Sequence, residues 1–133
     1  DMNPNASGVK VRIETDGDVL ADGDVTAFST TISDPRLKEN VEPVTDAMAK
    51  IKQLTGYTFD YKKDNRPSAG VLSTEVKDIL PSAVRMKTPL GDDTEYETVQ
   101  YDQLSALFIE AIKEQQKQID DLKGMVQDLL DNK

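Results

Sequence analysis

Two residue types that carry much of protein chemistry are missing, because the 133-residue chain contains no cysteine and no histidine. Without cysteine it has no disulfide framework and no thiolate nucleophile. Without either residue, a typical zinc site lacks its usual ligands. A serine activated by histidine is excluded as well. Nucleophilic catalysis would therefore need a hydroxyl group and a different base.

Aromatic residues are also scarce, and the 16 basic residues are outnumbered by 25 acidic ones. Aromatics make up 5% of the chain and hydrophobic residues 37%, so a self-contained core would be thin and oligomerisation is a natural remedy. The net charge of −9 argues against a nucleic-acid partner or an anionic membrane surface, since phosphate groups need a concentrated basic face. There is no membrane-length apolar run and no signal-like pattern. The first residues, 1–5, suggest continuation from a longer polypeptide.

Short extended segments are predicted before residue 33. Val9, Val11 and Ile13 alternate with charged residues, which is the period of a half-buried strand. Further extended segments are expected at 19–21 and 25–32, with tight turns between them. One chain could not bury the apolar face of such short strands alone. The pattern therefore indicates the β-rich end of a fibrous stalk built from several chains.

Acidic residues recur in these turns, at Asp16, Asp18, Asp22 and Asp24. A calcium loop of another type is the alternative interpretation, but the EF-hand spacing fails because its closing glutamate is missing. Turn chemistry explains the four residues better. We therefore predict no metal site.

A mixed body of helices and strands is predicted between residues 45 and 101. Tyr57, Phe59 and Tyr61 alternate, and we expect this aromatic face to be core rather than a platform for nucleic-acid bases. A polar loop is expected at 62–68. The predicted helices and strands are helix 45–54, strand 57–61, strand 70–72, helix 74–80, strand 83–86 and strand 95–101.

The clearest structural signal is a heptad pattern in a predicted helix over 102–131. Two rows of residues, seven apart, define a and d positions of a coiled coil. The a positions are Ile112, Ile119 and Val126, and the d positions are Phe108, Gln115, Leu122 and Leu129. The alternative is an amphipathic helix lying on its own domain. The polar d position and the helix length favour self-association, and Ile at a with Leu at d favours a dimer.

A candidate catalytic pair lies at the junction between the two regions, in Ser33-Asp34-Pro35-Arg36-Leu37-Lys38-Glu39-Asn40-Val41. A serine and a lysine brought together form a nucleophile–base dyad that needs no histidine. Lys38 could accept a proton only as a neutral amine, which burial in a folded assembly or the neighbouring charge of Arg36 would favour. The alternative is a helix-capping Ser33 and a solvated Lys38. Asp34 could orient Lys38 or cap the turn.

This junction resembles the opening of the peptidase S74 family, the intramolecular chaperone domains of phage tail fibres, tailspikes and neck appendages. Pro35 departs from the family pattern, where a basic residue is expected, and Ser73-Thr74 stand in place of Ala-Gln. The resemblance covers roughly residues 33–130. Further blocks that resemble the family follow in order at 56–62, 70–76, 80–84, 98–104 and 109–116.

The resemblance implies an α+β fold, a small mixed β/helix body with a long C-terminal helix forming a trimeric coiled coil. Residues 1–32 would be the end of the fibre or appendage β-stalk, and 33–133 the auto-processing chaperone. The implied reaction is one self-cleavage between Ile32 and Ser33, with Ser33 as nucleophile and Lys38 as base, in one chain or between neighbours.

The implied partners are two further copies of the chain and the N-terminal fibre portion of its own polypeptide, with no cofactor. Assembly would take place in the bacterial host cytoplasm, and the mature N-terminal part would enter the virion. A non-cleaving trimerisation tip of a viral fibre is the alternative. A carbohydrate-binding tip is a third, which the few aromatics disfavour.

Overall fold

The computed structural model describes residues 8–133 and has an α+β architecture. The described residues form short strands in two-stranded sheets, with a long helix at the C-terminal end. They divide into two compact units. One comprises residues 8–41 with Met86–Thr98, and the other comprises Glu42–Arg85 with Val99–Lys133.

The first unit contains a small antiparallel hairpin. Strand β1 (Val11–Ile13) pairs with β2 (Val19–Ala21), and Arg12 lies opposite Leu20. Gly17 has a positive φ of 92° in the connecting turn, a conformation that glycine adopts without strain. These two strands and the turn confirm the sequence prediction.

Most apolar side chains of this hairpin are exposed in the single chain. Val11, Ile13 and Val19 are exposed, whereas Arg12 and Leu20 are half-buried. The predicted extended segment at 25–32 forms no strand. Among residues 8–133 it pairs with no strand, and a strand is stable only when its backbone groups are paired.

The second unit holds the body and the long helix. Strands β3 and β4 pair antiparallel with Phe59 opposite Ser68. The elements of this unit are α1 (Ala47–Ile51), β3 (Tyr57–Tyr61), β4 (Arg66–Gly70), α2 (Ser73–Ile79) and α3 (Tyr101–Asp131). A further two-stranded sheet joins β5 (Val84–Lys87) and β6 (Tyr96–Val99), and half of β5 and most of β6 belong to the first unit.

The core of the second unit is small, and the first turns of α3 lie in it. Leu104 and Leu107 are almost fully buried, and Ala111 is 6% exposed. Leu107 and Ala111 cluster with Ala47 of α1 and Ile79 of α2. Leu104 clusters with Val76 and Ala83. This packing fixes the N-terminal third of the long helix against the body.

Three sequence predictions for the body differ from the structure. The aromatic face of β3 lies outside the buried core, with Tyr57 and Tyr61 37% and 46% exposed. Strand β4 (Arg66–Gly70) lies mostly in the predicted polar loop 62–68 and ends where the strand predicted at 70–72 begins. The prediction was wrong here because Arg66-Pro67-Ser68-Ala69-Gly70 lacks the apolar alternation that marks a strand. Helix α1 is shorter than predicted and begins after Asp46 in a left-handed conformation.

Helix α3 agrees closely with the prediction of 102–131. Its 31 residues span about 46 Å at 1.5 Å per residue. Buried residues end at Ala111, so the remaining five turns have no apolar support within the described chain. Among residues 8–133, no helix combines the length and apolar character needed to cross a membrane.

Candidate functional site

A short 3-10 turn, Pro35–Leu37, shapes the junction that contains the candidate dyad. The Asp34 carboxylate accepts a hydrogen bond from the Arg36 amide at 2.9 Å, which caps the turn. The Lys38 amide donates to the Pro35 carbonyl at 3.1 Å. Pro35 suits the first position of the turn, since its φ is fixed and it has no N–H to satisfy. The departure from the family pattern at Pro35 is thus compatible with the turn.

The turn brings Ser33 and Lys38 together. Lys38 Nζ lies 2.6 Å from Ser33 Oγ, within hydrogen-bonding distance. Both residues are exposed in the single chain. This distance is short enough for proton transfer between a nucleophile and a base.

The guanidinium of Arg36 forms an ion pair with the Asp34 carboxylate. Its Nε and Nη2 donate to the two carboxylate oxygens of Asp34 at 3.1 and 2.9 Å. The Arg36 side chain, and then its backbone amide, hold the pKa of the Asp34 carboxyl below its usual value. Of the two roles considered for Asp34, the structure has it capping the turn. The charge of Arg36 is correspondingly paired.

The peptide bond between Ile32 and Ser33 lies in an irregular, accessible segment. Ile32 is 81% exposed, and no helix or strand lies between Ala21 and Pro35. The bond adjoins the Ser33–Lys38 contact because Ser33 supplies its nitrogen. Accessibility and proximity make this bond a candidate for attack by the Ser33 hydroxyl.

An acidic cluster in the same unit was only partly anticipated. Glu14, Asp16 and Asp18 each place a carboxylate oxygen within 4.8 Å of the others, a spacing that could hold a cation. The cation beside them is the ammonium of Lys87. It contacts Asp18 and lies 3.3 Å from Glu14 and 3.6 Å from Asp16.

Electrostatics in this cluster follow from those contacts. The hydrogen bond to Asp18 is the main cause that raises the pKa of Lys87. The hydrogen bond to Glu14 and the negative charges of Asp16 and Asp18 act in the same direction. The Asp18 amide is the main group that lowers the pKa of the Asp16 carboxyl. Spacing identified the acidic turn as Asp16 and Asp18 but not Lys87, because nothing in the sequence indicates which distant lysine would reach it.

The seven predicted interface residues of α3 lie outside the buried core of the single chain. Ile112 and Leu129 are the most exposed of the apolar six, at 64% and 71%. Gln115 is exposed as well. The other four apolar residues, Phe108, Ile119, Leu122 and Val126, are 44–59% exposed. An apolar stripe of this length on an otherwise charged helix favours association with another surface.

Residues 33–85 match the model of the peptidase S74 family, which is described as the chaperone of endosialidase. The resemblance inferred from the sequence is confirmed, and the match begins at Ser33. The family's name is that of a peptidase, and its description is that of a chaperone.

Two phage proteins are similar over most of the chain. The long tail fiber protein Gp37 of Enterobacteria phage T2 is 29% identical over 125 residues, covering 90% of this chain and 9% of the fibre protein. The protein of the same name from Enterobacteria phage K3 is also 29% identical, over 90% of this chain and 10% of its own length. The chain therefore spans about a tenth of these relatives.

Proposed function

We propose that residues 33–133 are an intramolecular chaperone that trimerises and folds a phage fibre, spike or appendage protein and then cuts itself free. Residues 1–32 are the end of the β-stalk that it assembles. The family match at 33–85 and the fibre relatives support a fibre-associated chaperone role. The 2.6 Å contact between Lys38 Nζ and Ser33 Oγ is the observation that carries the self-cleavage.

The proposed reaction uses the chain's own groups and one water molecule. Neutral Lys38 takes the proton of the Ser33 hydroxyl while Oγ attacks the carbonyl carbon of Ile32. The bond from that carbon to the Ser33 nitrogen breaks, and the nitrogen takes up the proton. An ester between Ile32 and Ser33 remains. Water hydrolyses it to the Ile32 carboxylate and a Ser33 that carries a free amine and hydroxyl.

Either a chain's own Ser33 or that of a neighbour could make the attack. The contact between Lys38 and Ser33 of the same chain supports activation of the serine within one chain. The activated Ser33 could then cut the bond in its own chain or the bond in a neighbour. Trimers that mix parent chains with Ser33→Ala chains would distinguish the two routes.

Trimer formation through α3 would provide the assembly step. The exposed a and d residues beyond Ala111 are apolar apart from Gln115, and pairing them in a coiled coil would remove their surfaces from water. The exposed apolar face of β1 and β2 likewise favours partners from other chains. Three chains held by one coil have a high local concentration and a common register.

Coupling of the chemistry to assembly follows from the exposure of the dyad. In the single chain Lys38 is exposed to water. Burial of the junction among three chains would remove Lys38 from water and favour the neutral amine that can act as a base. Cleavage would then follow correct assembly rather than precede it.

A removable registering device has a physical advantage for a fibre. Pairing of β segments between chains is slow and prone to mispairing, so a coil that sets the register first helps. Release after cleavage leaves the fibre kinetically trapped. We place assembly in the bacterial host cytoplasm and the mature N-terminal part in the virion tail or appendage, with no cofactor, nucleic acid or membrane involved.

Denaturing electrophoresis of freshly expressed chain, followed by N-terminal sequencing, tests this function. Two pieces are expected, and the larger should begin at Ser33. The alternative is a non-cleaving trimerisation tip of a viral fibre, favoured by the exposure of Lys38 in the single chain. One intact species that sediments as a trimer would support that alternative and remove the peptidase.

A further inference from the structure

One ion-pair cluster joins the two sides of the proposed cut. Glu14, Asp16 and Asp18 belong to the part that would remain on the fibre, and Lys87 belongs to the part that would leave. All four residues lie in the same compact unit. Cleavage between Ile32 and Ser33 would therefore break the covalent link but leave this contact in place.

We propose that Lys87 is an electrostatic tether that keeps the chaperone on the fibre end after cleavage, and that ionic strength controls its release. The interaction surface consists of the acidic turn after β1 on one side and the lysine at the end of β5 on the other. The partner of the chaperone at this surface is the three-carboxylate turn of its own severed N-terminal part.

The charges of the cluster support this role. Arg12 Nη2 already pairs with Glu14 at 2.8 Å, so the acidic turn has one basic partner within the N-terminal part. Three carboxylates and one guanidinium leave that turn with a net charge of about −2. Lys87 neutralises part of this excess, and its removal would leave like charges facing one another.

The contact is also suited to controlled release. The side chains of Lys87 and Glu14 are only 26% and 27% exposed, whereas Asp16 is 60% exposed. These side chains keep contact with water, so dissolved salt weakens their attraction. The screening length falls from about 10 Å at 0.1 M to about 3 Å at 1 M ionic strength. A tether of this kind holds in dilute salt and weakens as the salt concentration rises.

The chain offers a matched control for the loss of one lysine charge. Lys10 Nζ pairs with Asp22 Oδ2 at 2.9 Å, and both residues lie on the fibre side of the cut. Lys10→Gln removes the same charge and one ion pair from the same unit without touching the junction between the two parts. Lys87→Gln removes a pair that spans them.

The test separates the two parts in two independent ways. The first is self-cleavage, followed by size-exclusion chromatography of the cut protein at about 0.1 M and about 1 M salt. The second is a brief chymotrypsin nick of the full chain after Phe28, which is fully exposed in an irregular segment. The tether proposal rests on the proposed function for the natural cut, but the nick tests the tether even if the chain does not cut itself.

We expect the N-terminal fragment to co-elute with the rest at about 0.1 M salt and to separate at about 1 M. The N-terminal fragment should dissociate about two- to fivefold faster from Lys87→Gln at low salt, the range expected for exposed ion pairs. Lys10→Gln and Lys87→Arg should behave like the parent chain. Exchange of charges, with Lys87→Asp and Asp18→Lys together, should restore part of the retention.

Two results would overturn the tether. One is a fragment that stays bound at about 1 M salt and in Lys87→Gln, since other contacts would then hold it. The other is equal loss of the fragment in Lys10→Gln and Lys87→Gln, which would make the effect one of net charge. Failure of self-cleavage with normal behaviour of the nicked chain would remove the proposed function and leave the tether standing.

Discussion

The hydroxyl of Tyr101 accepts a hydrogen bond from the backbone amide of Val71, 30 residues earlier, at 3.1 Å. Tyr101 is the first residue of α3, and Val71 follows β4 directly. The bond therefore fixes the start of the long helix to the end of the β3–β4 hairpin. Gly70 makes the approach possible, because a Cβ at this position would collide with the Tyr101 hydroxyl.

Gly70→Ala should destabilise the protein by about 1–3 kcal/mol, since overfilling a tight contact forces neighbouring groups to shift. Tyr101→Phe should cost about 1 kcal/mol through the lost hydrogen bond. In the double variant the closest ring atom, Cζ, would lie 3.2 Å from the new Cβ, so much of the collision is relieved.

Urea unfolding of the four chains at one protein concentration measures the coupling between these positions. We expect the double variant to be more stable than the sum of the single effects predicts. Strict additivity would mean that the Tyr101 hydroxyl is not what restricts residue 70.

Charges in the coiled-coil seam should abolish assembly. Ile119→Glu with Leu122→Glu would place several like charges together in the trimer, and each buried unpaired charge costs several kcal/mol. Lys113→Glu changes the net charge by the same amount at an exposed position whose pairing with Glu110 is a surface contact. Sedimentation velocity should show a monomer for the double variant and a trimer for the control.

The same pair of chains tests the gating of cleavage. If Lys38 becomes an effective base only in the assembled state, the monomeric double variant should stay intact while Lys113→Glu is processed normally. A monomer that cuts itself between Ile32 and Ser33 would show that assembly does not gate the reaction.

Lys38→Arg should stop cleavage or slow it by orders of magnitude. Arginine keeps the positive charge but stays protonated in proteins, so it cannot take the proton from Ser33. Lys52→Arg, at an exposed position directly after α1, is the matched control. The rate of appearance of the larger piece on denaturing gels gives the comparison, and processing of Lys38→Arg at the parent rate would eliminate Lys38 as the base.

The cap of the 3-10 turn should show a defined dependence on pH. Because the folded protein lowers the pKa of Asp34, the cap contributes stability above the unfolded value of 3.8 and loses it as the pH falls through the lower folded value. A carboxyl NMR titration should give a midpoint below 3.8. In Arg36→Gln the midpoint should rise towards 3.8 without reaching it, because the backbone amide of residue 36 still donates.

The regular elements of the chain were predictable where a local pattern specifies them. The alternation of Val11 and Ile13, the turn at Gly17 and the heptads of α3 each determine an element within a few residues. Strand β4 was missed because Pro67 and Gly70 are residues that usually disfavour a strand. The strand forms because it pairs with β3, which is a tertiary effect.

The sequence predicted which residues form the candidate site, but it did not predict which charged groups surround them. Motif spacing identified Ser33 and Lys38, and the turn around Pro35 brings them together. The pairing of Arg36 with Asp34 and the contact of Lys87 with the acidic turn depend on three-dimensional placement. Residue types alone do not specify which charges meet, since each lysine has several carboxylates within reach.

Intact-mass measurement of the purified parent chain beside Ser33→Ala tests the central claim most directly. The substitution removes the hydroxyl with little change in packing, so both chains should fold and form trimers. The account predicts masses of fragments 1–32 and 33–133 for the parent and one full-length mass for Ser33→Ala. Fragments of those masses from Ser33→Ala, or a single uncut mass from a trimeric parent chain, would contradict self-cleavage by Ser33.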